Sequence, residues 1–257
     1  GLWVTKQYKQ PETLILTTHV PELLHLGIDD DCIEIGAAVT LTDAVPLITD
    51  QYPELAQLFT RFASPPIRNA ATLGGNIANG SPIGDSMPPL MALGASIVLQ
   101  GPDGKREMPL EDFYLDYMST SLKPDEVLTT IRIPLRDGAG KLAAYKVSKR
   151  FDQDISALCL AFNLELEGGA VASIRIGAGG LAAIPKRAAS CEAAMAGRSW
   201  DEATVEAGMQ ALEEDFTPID DLRASARYRM RCAQNLLKRF FLETTRQKDY
   251  SVYGHGR

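Results

Sequence analysis

Short alternating and apolar runs, separated by stretches of helical spacing, occupy the chain up to about residue 134. Asp31-Cys-Ile-Glu-Ile-Gly36 alternates as a strand does, and a helix is expected from about Thr42, whose hydroxyl can cap it. Between Tyr52 and Phe62 the apolar residues at 55, 58, 59 and 62 keep helical spacing, and Met87 to Leu93 also reads as helix. Ser96 to Gln100, the turn Pro102-Asp-Gly104 and Arg106 to Pro109 predict a hairpin, and Leu128 to Ile131 a strand.

Past Pro134-Leu-Arg-Asp-Gly-Ala-Gly140 the pattern changes, and this Gly- and Pro-containing link is the expected domain boundary. Lys141 to Lys149, Ile155 to Glu167 and Ala170 to Gly177 predict three antiparallel strands, with Gly168-Gly169 turning the last hairpin. Helices are expected at about Ala188 to Ala196 and Asp201 to Glu214. A long helix should start at Pro218, with Thr217 as its cap and Asp220 and Asp221 in the first turn, where the helix dipole favours acids. Leu222, Ala226, Met230, Ala233, Leu237 and Phe240 give that helix a core face, leaving Arg223, Arg227, Arg229 and Arg231 as its solvated side or a place to meet a partner subunit. The class expected is α+β: one unit over residues 1–136, a second over 141–246 with a three-stranded antiparallel sheet packed on helices, and a flexible tail over 247–257.

One stretch buries little and so needs another reason for order. The fourteen residues from Thr72 to Asp85 hold four glycines, two asparagines, a serine, a threonine and an aspartate. Glycine permits positive φ and close backbone approach to a ligand, and successive N–H groups form a concavity suited to phosphate oxygens. Glycine content alone equally describes a surface loop. Pro65-Pro66 before the run and the apolar Met87 to Leu99 after it argue for a fixed cradle instead. The spacing is neither G-x-G-x-x-G nor G-x-x-x-x-G-K-[ST], so the dinucleotide and P-loop mechanisms do not apply.

Thr72-Leu-Gly-Gly-Asn-Ile77, followed closely by Ser81-Pro-Ile-Gly-Asp85, resembles the FAD-binding domain of the molybdenum hydroxylases: xanthine dehydrogenase, aldehyde oxidase and CO dehydrogenase. Arg61-Phe62-Ala63, Pro124-Asp-Glu-Val-Leu128 and Ala144-Tyr-Lys146 extend the likeness over most of the first 155 residues, and the opening Gly1-Leu-Trp-Val-Thr-Lys6 is similar to a bacterial xanthine dehydrogenase small subunit. The resemblance implies a two-subdomain (PCMH-like) FAD-binding domain lacking its N-terminal part, then the family's C-terminal domain. It implies that Thr72, Gly74, Gly75, Asn76 and Ile77 wrap the FAD diphosphate. Asn79 stands where the family often has a threonine. Asp85 would meet the adenosine, Phe62 would stack on adenine, and Leu128 and Lys146 would line the flavin, where a cation favours the reduced anion. Tyr117 would lie near flavin and nicotinamide, and the charged turn of Lys149, Arg150, Asp152 and Asp154 would influence NAD access. Read without the family, Phe62 and Leu128 are core residues, Lys146 a solvated strand lysine and Tyr117 a packing tyrosine.

The family also places a glycine-rich phosphate loop before the point where this chain opens. A chain beginning at Gly1 is therefore expected to be a fragment with weakened or lost FAD affinity. The resemblance puts 2Fe–2S clusters and molybdopterin on other domains or subunits, makes NAD the electron acceptor and the intact enzyme an oligomer.

Composition narrows the alternatives. A net charge of −7 argues against a nucleic-acid partner. No apolar run approaches membrane-spanning length and no signal peptide is visible, which reads as a soluble, cytoplasmic protein. Cys32, Cys159, Cys191 and Cys232 are too scattered for zinc or an iron–sulfur cluster, and Cys159 sits in an apolar run as a core residue would. His19, His25 and His255 offer no hydrolase triad. The expected function is a flavin electron-transfer module, an oxidoreductase with xanthine dehydrogenase favoured. A flavin subunit of a CO dehydrogenase-like or aldehyde oxidase-like enzyme, or a cofactor-free scaffold, is the alternative.

Overall fold

Two antiparallel sheets organise the chain, and each supplies one face of its own hydrophobic core. The computed structural model describes residues 4, 6–29, 31–136, 138 and 140–246, so most of the opening segment and the expected tail at 247–257 lie outside the described residues. The first sheet has five strands in the order β1-β2-β7-β3-β4: β1 (Leu26–Asp29), β2 (Cys32–Gly36), β3 (Ser96–Gly101), β4 (Gly104–Pro109) and β7 (Val127–Pro134). The β3–β4 hairpin pairs Ser96 with Pro109 around the expected turn. Ile35, Ile131 and Ile97 stand in one cross-strand row, all wholly buried. Burying three β-branched side chains on neighbouring strands is what pins this register.

Helices cover that row. Helix α1 (Leu41–Gln51) is capped by Thr40, whose hydroxyl accepts the Asp43 N–H at 3.2 Å. The cap is thus Thr40 and not Thr42, which instead donates to Asn69 Oδ1 at 2.6 Å. The segment expected as one helix over residues 52–62 is a 3₁₀ turn (Pro53–Leu55) followed by α2 (Ala56–Thr60), because Pro53 restricts how the helix can start. Leu55, Leu58 and Phe59 are buried as their spacing required, whereas Phe62 lies beyond the helix. A single turn, α3 (Pro65–Arg68), leads to α4 (Leu73–Asn79) and then α5 (Met87–Ala92). A small hairpin, β5 (Tyr114–Asp116) with β6 (Ser119–Thr120), projects from this half.

The second sheet has four strands, not the three expected, in the order β11-β10-β9-β8: β8 (Lys141–Val147), β9 (Leu158–Glu167), β10 (Ala170–Gly179) and β11 (Lys186–Arg187). The added strand is two residues long, too short to leave a period in the sequence. Gly168 and Gly169 both take positive φ (58° and 85°), which a tight hairpin between right-twisted strands requires. Helices α6 (Ala189–Met195) and α8 (Ala226–Arg246) pack on this sheet, and α7 (Glu202–Asp215) packs on both of them. Phe162 on β9 stacks on Phe240 of α8 with ring centroids 5.0 Å apart. Cys159 is buried, as its apolar run predicts.

The long helix begins eight residues later than its sequence signals suggest. Residues 217–225 form an irregular strap because the aspartates bond elsewhere. Asp221 Oδ1 accepts the Arg223 and Ala224 N–H groups at 2.8 and 3.1 Å, and Asp220 accepts that of Ala226. Leu222 is consequently exposed rather than on a core face. Arg229, expected on the solvated side, is 2% exposed: its guanidinium donates to the carbonyls of Ala157 and Gly180 and to Asp221 at 2.6 Å.

Candidate flavin site

The first half of the glycine-rich run, residues 73–79, is a helix and the rest is turn and loop, and this changes what its glycines do. Neither Gly74 nor Gly75 has positive φ; within the run only Gly80, which ends α4, does, at 62°. Gly74 is required by proximity: a Cβ there would come within 2.6 Å of the Ala37 carbonyl oxygen, in the turn that follows β2. Gly75 faces solvent, and a Cβ on it would come within 2.9 Å of Thr72 Oγ1. Thr72 caps the helix, its hydroxyl accepting the Gly75 N–H at 2.9 Å. A helix start leaves its first amides without intrahelical partners; here Leu73 and Gly74 are buried and Gly75 is the exposed residue of the first turn. These features fit a diphosphate, which needs close backbone approach and donors without bulk.

The other expected contacts divide into two groups. Asn76 and Asn79 stay accessible, and Asn76 Oδ1 accepts the Ser86 hydroxyl at 2.5 Å. Phe62 is half-buried, 6.3 Å from Phe59, and next to Ala63, whose φ of 54° is unusual for a non-glycine residue. Arg68 holds that kink by donating to the carbonyls of Phe62 and Ala63, each at 2.9 Å. Ile77 and Leu128, in contrast, lie in the first core, and the Ile77 carbonyl accepts the Tyr114 hydroxyl.

Asp85 and Lys146 meet one another. Lys146 Nζ lies 2.5 Å from Asp85 Oδ2, with the two side chains 3% and 7% exposed. Ser156 completes the cluster, its hydroxyl donating to Asp85 Oδ1 and lying 2.6 Å from Lys146 Nζ. Asp85, expected at the adenosine, and Lys146, expected at the flavin, are thus brought together in one buried pair. Held against a carboxylate, the lysine ammonium forms one end of a buried dipole. Cys159 lies close by; burial, with Asp85 adding to it, pushes its thiol well above the ordinary value.

This cluster joins the two sheets' units, and other contacts do the same. Arg61 donates to the Phe151 carbonyl at 2.7 Å and to Ser148 Oγ, with its guanidinium 4.8 Å from the Phe151 ring centre. Gly180 donates its N–H to the Pro82 carbonyl at 2.7 Å with a φ of 81°, and a Cβ on Gly177 would collide with the Pro88 carbonyl. Residues 81–88 are thus clamped against β10, the fixed setting that the flanking prolines and apolar run suggested.

Between the units, beside Ser81-Pro82-Ile83, lies a cavity of about 570 Å³. Tyr117, Gly180 to Ala183 and the 217–223 strap complete its wall. Tyr117 is 64% exposed at the tip of the β5–β6 hairpin, and Met118 beside it holds a φ of 54°. Arg229 lies at the base and ties the strap down through Asp221. Burial works against ionising that carboxyl, but the Arg223 and Ala224 amides and the Arg229 guanidinium hold it well below the usual range. Ser156, Arg229 and the strap escape sequence reasoning: a serine in a charged turn and an arginine in a helical stripe carry no local mark of a buried role.

Residues 1–136 match the family described as "FAD binding domain in molybdopterin dehydrogenase", and residues 143–244 match "CO dehydrogenase flavoprotein C-terminal domain". The chain is 33% identical over 242 residues to xanthine dehydrogenase of Emericella nidulans, covering 88% of this chain but 18% of that one. It is 31% identical over 236 residues to the carbon monoxide dehydrogenase medium chain of Hydrogenophaga pseudoflava, covering 91% of this chain and 82% of that one. The solved structure of the Hydrogenophaga pseudoflava enzyme that lacks the Mo-pyranopterin moiety superposes with a TM-score of 0.84 at 32% identity, over 91% of this chain and 82% of that chain. Xanthine and CO dehydrogenases match alike, so the expected preference for the former has no support here. The chain belongs to the family of FAD-binding flavoprotein domains of the molybdopterin dehydrogenases.

Proposed function

We propose that this chain is the flavin module of a molybdenum hydroxylase, receiving electrons from iron–sulfur clusters on a partner domain or subunit and passing them to NAD. FAD, when bound, supplies the electron exchange; the chain's residues hold and orient it. Thr72, Gly74, Gly75 and Asn76 hold the diphosphate, with Ile77 contributing backbone alone. Asn79 and Phe62 flank it, and Asp85, Lys146 and Ser156 form a rigid polar wall. Leu128 supports the site from the core.

The observation that carries the acceptor reading is the cavity by Tyr117. It adjoins the Ser81–Asp85 run, its volume of about 570 Å³ suits a small-molecule ligand, and its wall combines an aromatic ring, apolar side chains and two arginines that share one carboxylate, Asp221. Such a lining suits a flat heteroaromatic group carried on an anion. The molybdopterin-binding and iron–sulfur partners, an oligomeric assembly and a cytoplasmic location belong to the same reading.

For the parent activity two readings stand level, and the Emericella nidulans likeness supports xanthine dehydrogenase. A CO dehydrogenase-type enzyme is the second reading, favoured by the extent of the fold match. Assembling the chain with its partner subunits tests both: xanthine or CO is offered as reductant and NADH formation is followed. Tyr117→Ala should raise KM for NAD several-fold and leave turnover with a dye acceptor unchanged. An enzyme that reduces dyes but never NAD removes the acceptor assignment.

A further inference from the structure

A second cavity, of about 380 Å³, shares Arg223 with the Tyr117 cavity. Its polar lining is Ser148, Lys149, Arg223, Ser225 and Tyr228: two cations, three hydroxyls and no carboxylate, although the Ser148 hydroxyl donates to the Arg150 carbonyl at 2.7 Å and that of Tyr228 bonds Cys232. In a chain whose net charge is −7, a concavity lined only by positive and neutral groups concentrates anions. Lys149 Nζ donates to the Leu222 carbonyl at 2.8 Å, which leaves further ammonium protons to donate. Ser225 Oγ accepts the Tyr228 N–H at 3.2 Å, so its own proton is available to a ligand. Arg223 pairs with Asp221 at 3.1 Å, but that single carboxylate is shared with Arg229 at 2.6 Å, so the cations around it stay in excess. The nearby Arg150 is matched by Asp154 at 3.2 Å and lies outside the lining.

We propose that this cavity is a phosphate subsite and that the phosphate it takes is carried by a nucleotide. A phosphate accepts hydrogen bonds from every side, as cations and hydroxyls around one space require. A lone phosphate is on the order of a few water volumes of about 30 Å³ each, so it leaves most of this space unfilled. A phosphate with its sugar fills it better. Because Arg223 belongs to both cavities, a dinucleotide with its planar ring against Tyr117 would pass its diphosphate over Arg223 toward Lys149. That last step rests on the acceptor reading above; the phosphate subsite does not.

Calorimetric titration of the chain with ADP and, separately, with inorganic phosphate tests the proposal. ADP should bind the more tightly. Lys149→Met and Arg223→Gln should each weaken ADP by about tenfold, the loss of one charge-assisted hydrogen bond. Arg150→Gln, which removes the same charge outside the cavity, should change it less than about twofold, the size of a screened surface effect. No saturable ADP binding, or an equal loss with Arg150→Gln, overturns the subsite; equal affinity for ADP and inorganic phosphate overturns the nucleotide as carrier. Arg223→Gln breaks an ion pair within the strap and Lys149→Met only one hydrogen bond to it, from the Leu222 carbonyl, so Lys149→Met with an unchanged melting temperature is the deciding variant. In the assembled enzyme Lys149→Met should raise KM for NAD with kcat and dye turnover unchanged. If wild-type enzyme ignores NAD while Lys149→Met still abolishes ADP binding, the acceptor reading fails and the subsite stands.

Discussion

Removing the ammonium of Lys146 tests the joint between the two units. The pair with Asp85 is almost fully enclosed, so Lys146→Met leaves a buried carboxylate with Ser156 as its side-chain partner. Breaking a buried pair from one side costs about 3–5 kcal/mol, because the remaining charge keeps its desolvation penalty and loses its compensation. For a chain of this size each kcal/mol moves Tm by about 2–4 °C, so the variant should melt about 6–20 °C lower. Ser156→Ala removes one hydrogen bond to the same carboxylate and should cost about 1.5–3 kcal/mol. Replacing both charges, Asp85→Asn with Lys146→Met, should cost less than the two single losses added, since no lone charge remains. Urea unfolding of the wild type, Asp85→Asn, Lys146→Met and the double variant gives the coupling as a double-mutant cycle. A loss below about 1 kcal/mol for Lys146→Met, the range of exposed pairs, would refute the burial argument.

Gly74→Ala and Gly75→Ala should separate packing from ligand binding. The first drives a Cβ into the Ala37 backbone and should cost about 1–3 kcal/mol, more than the roughly 1 kcal/mol gained in helix propensity. The second disturbs only the Thr72 cap, about 1 kcal/mol, against a similar propensity gain, so thermal melting should be nearly unchanged while FAD affinity falls. Acid titration tests the Arg106–Glu126 pair: hydrogen bonds from Arg106 at 2.8 Å and from the Lys123 amide hold the Glu126 carboxyl at about 2, against an ordinary 4.5. With the folded value depressed, its contribution is complete above pH 4.5 and is lost as pH falls toward 2. Arg106→Gln should flatten stability across that window, and an unchanged acid transition would count against it.

Elements set by local chemistry were legible before the structure. The Ser96–Pro109 hairpin and the Gly168-Gly169 turn follow from residues within a few positions of one another. Where local signals competed with distant packing, packing won. Two adjacent glycines disfavour helix, yet α4 forms because Thr72 caps it and Ala37 leaves no room for a side chain. Thr217-Pro218 reads as a helix start, yet Asp221 bends the chain into a strap held by Arg229. Family likeness supplied a list of candidate residues, but not how the fold arranges them. Asp85 and Lys146 are 61 positions apart, and no period in the sequence relates them.

A structure of the assembled flavoenzyme at a resolution that fixes the diphosphate tests the central claim most directly. The account predicts diphosphate oxygens seated against the first turn of helix α4, at Thr72, Gly74 and Gly75, with the Asp85–Lys146 pair intact alongside. A diphosphate seated away from the start of that helix would contradict it.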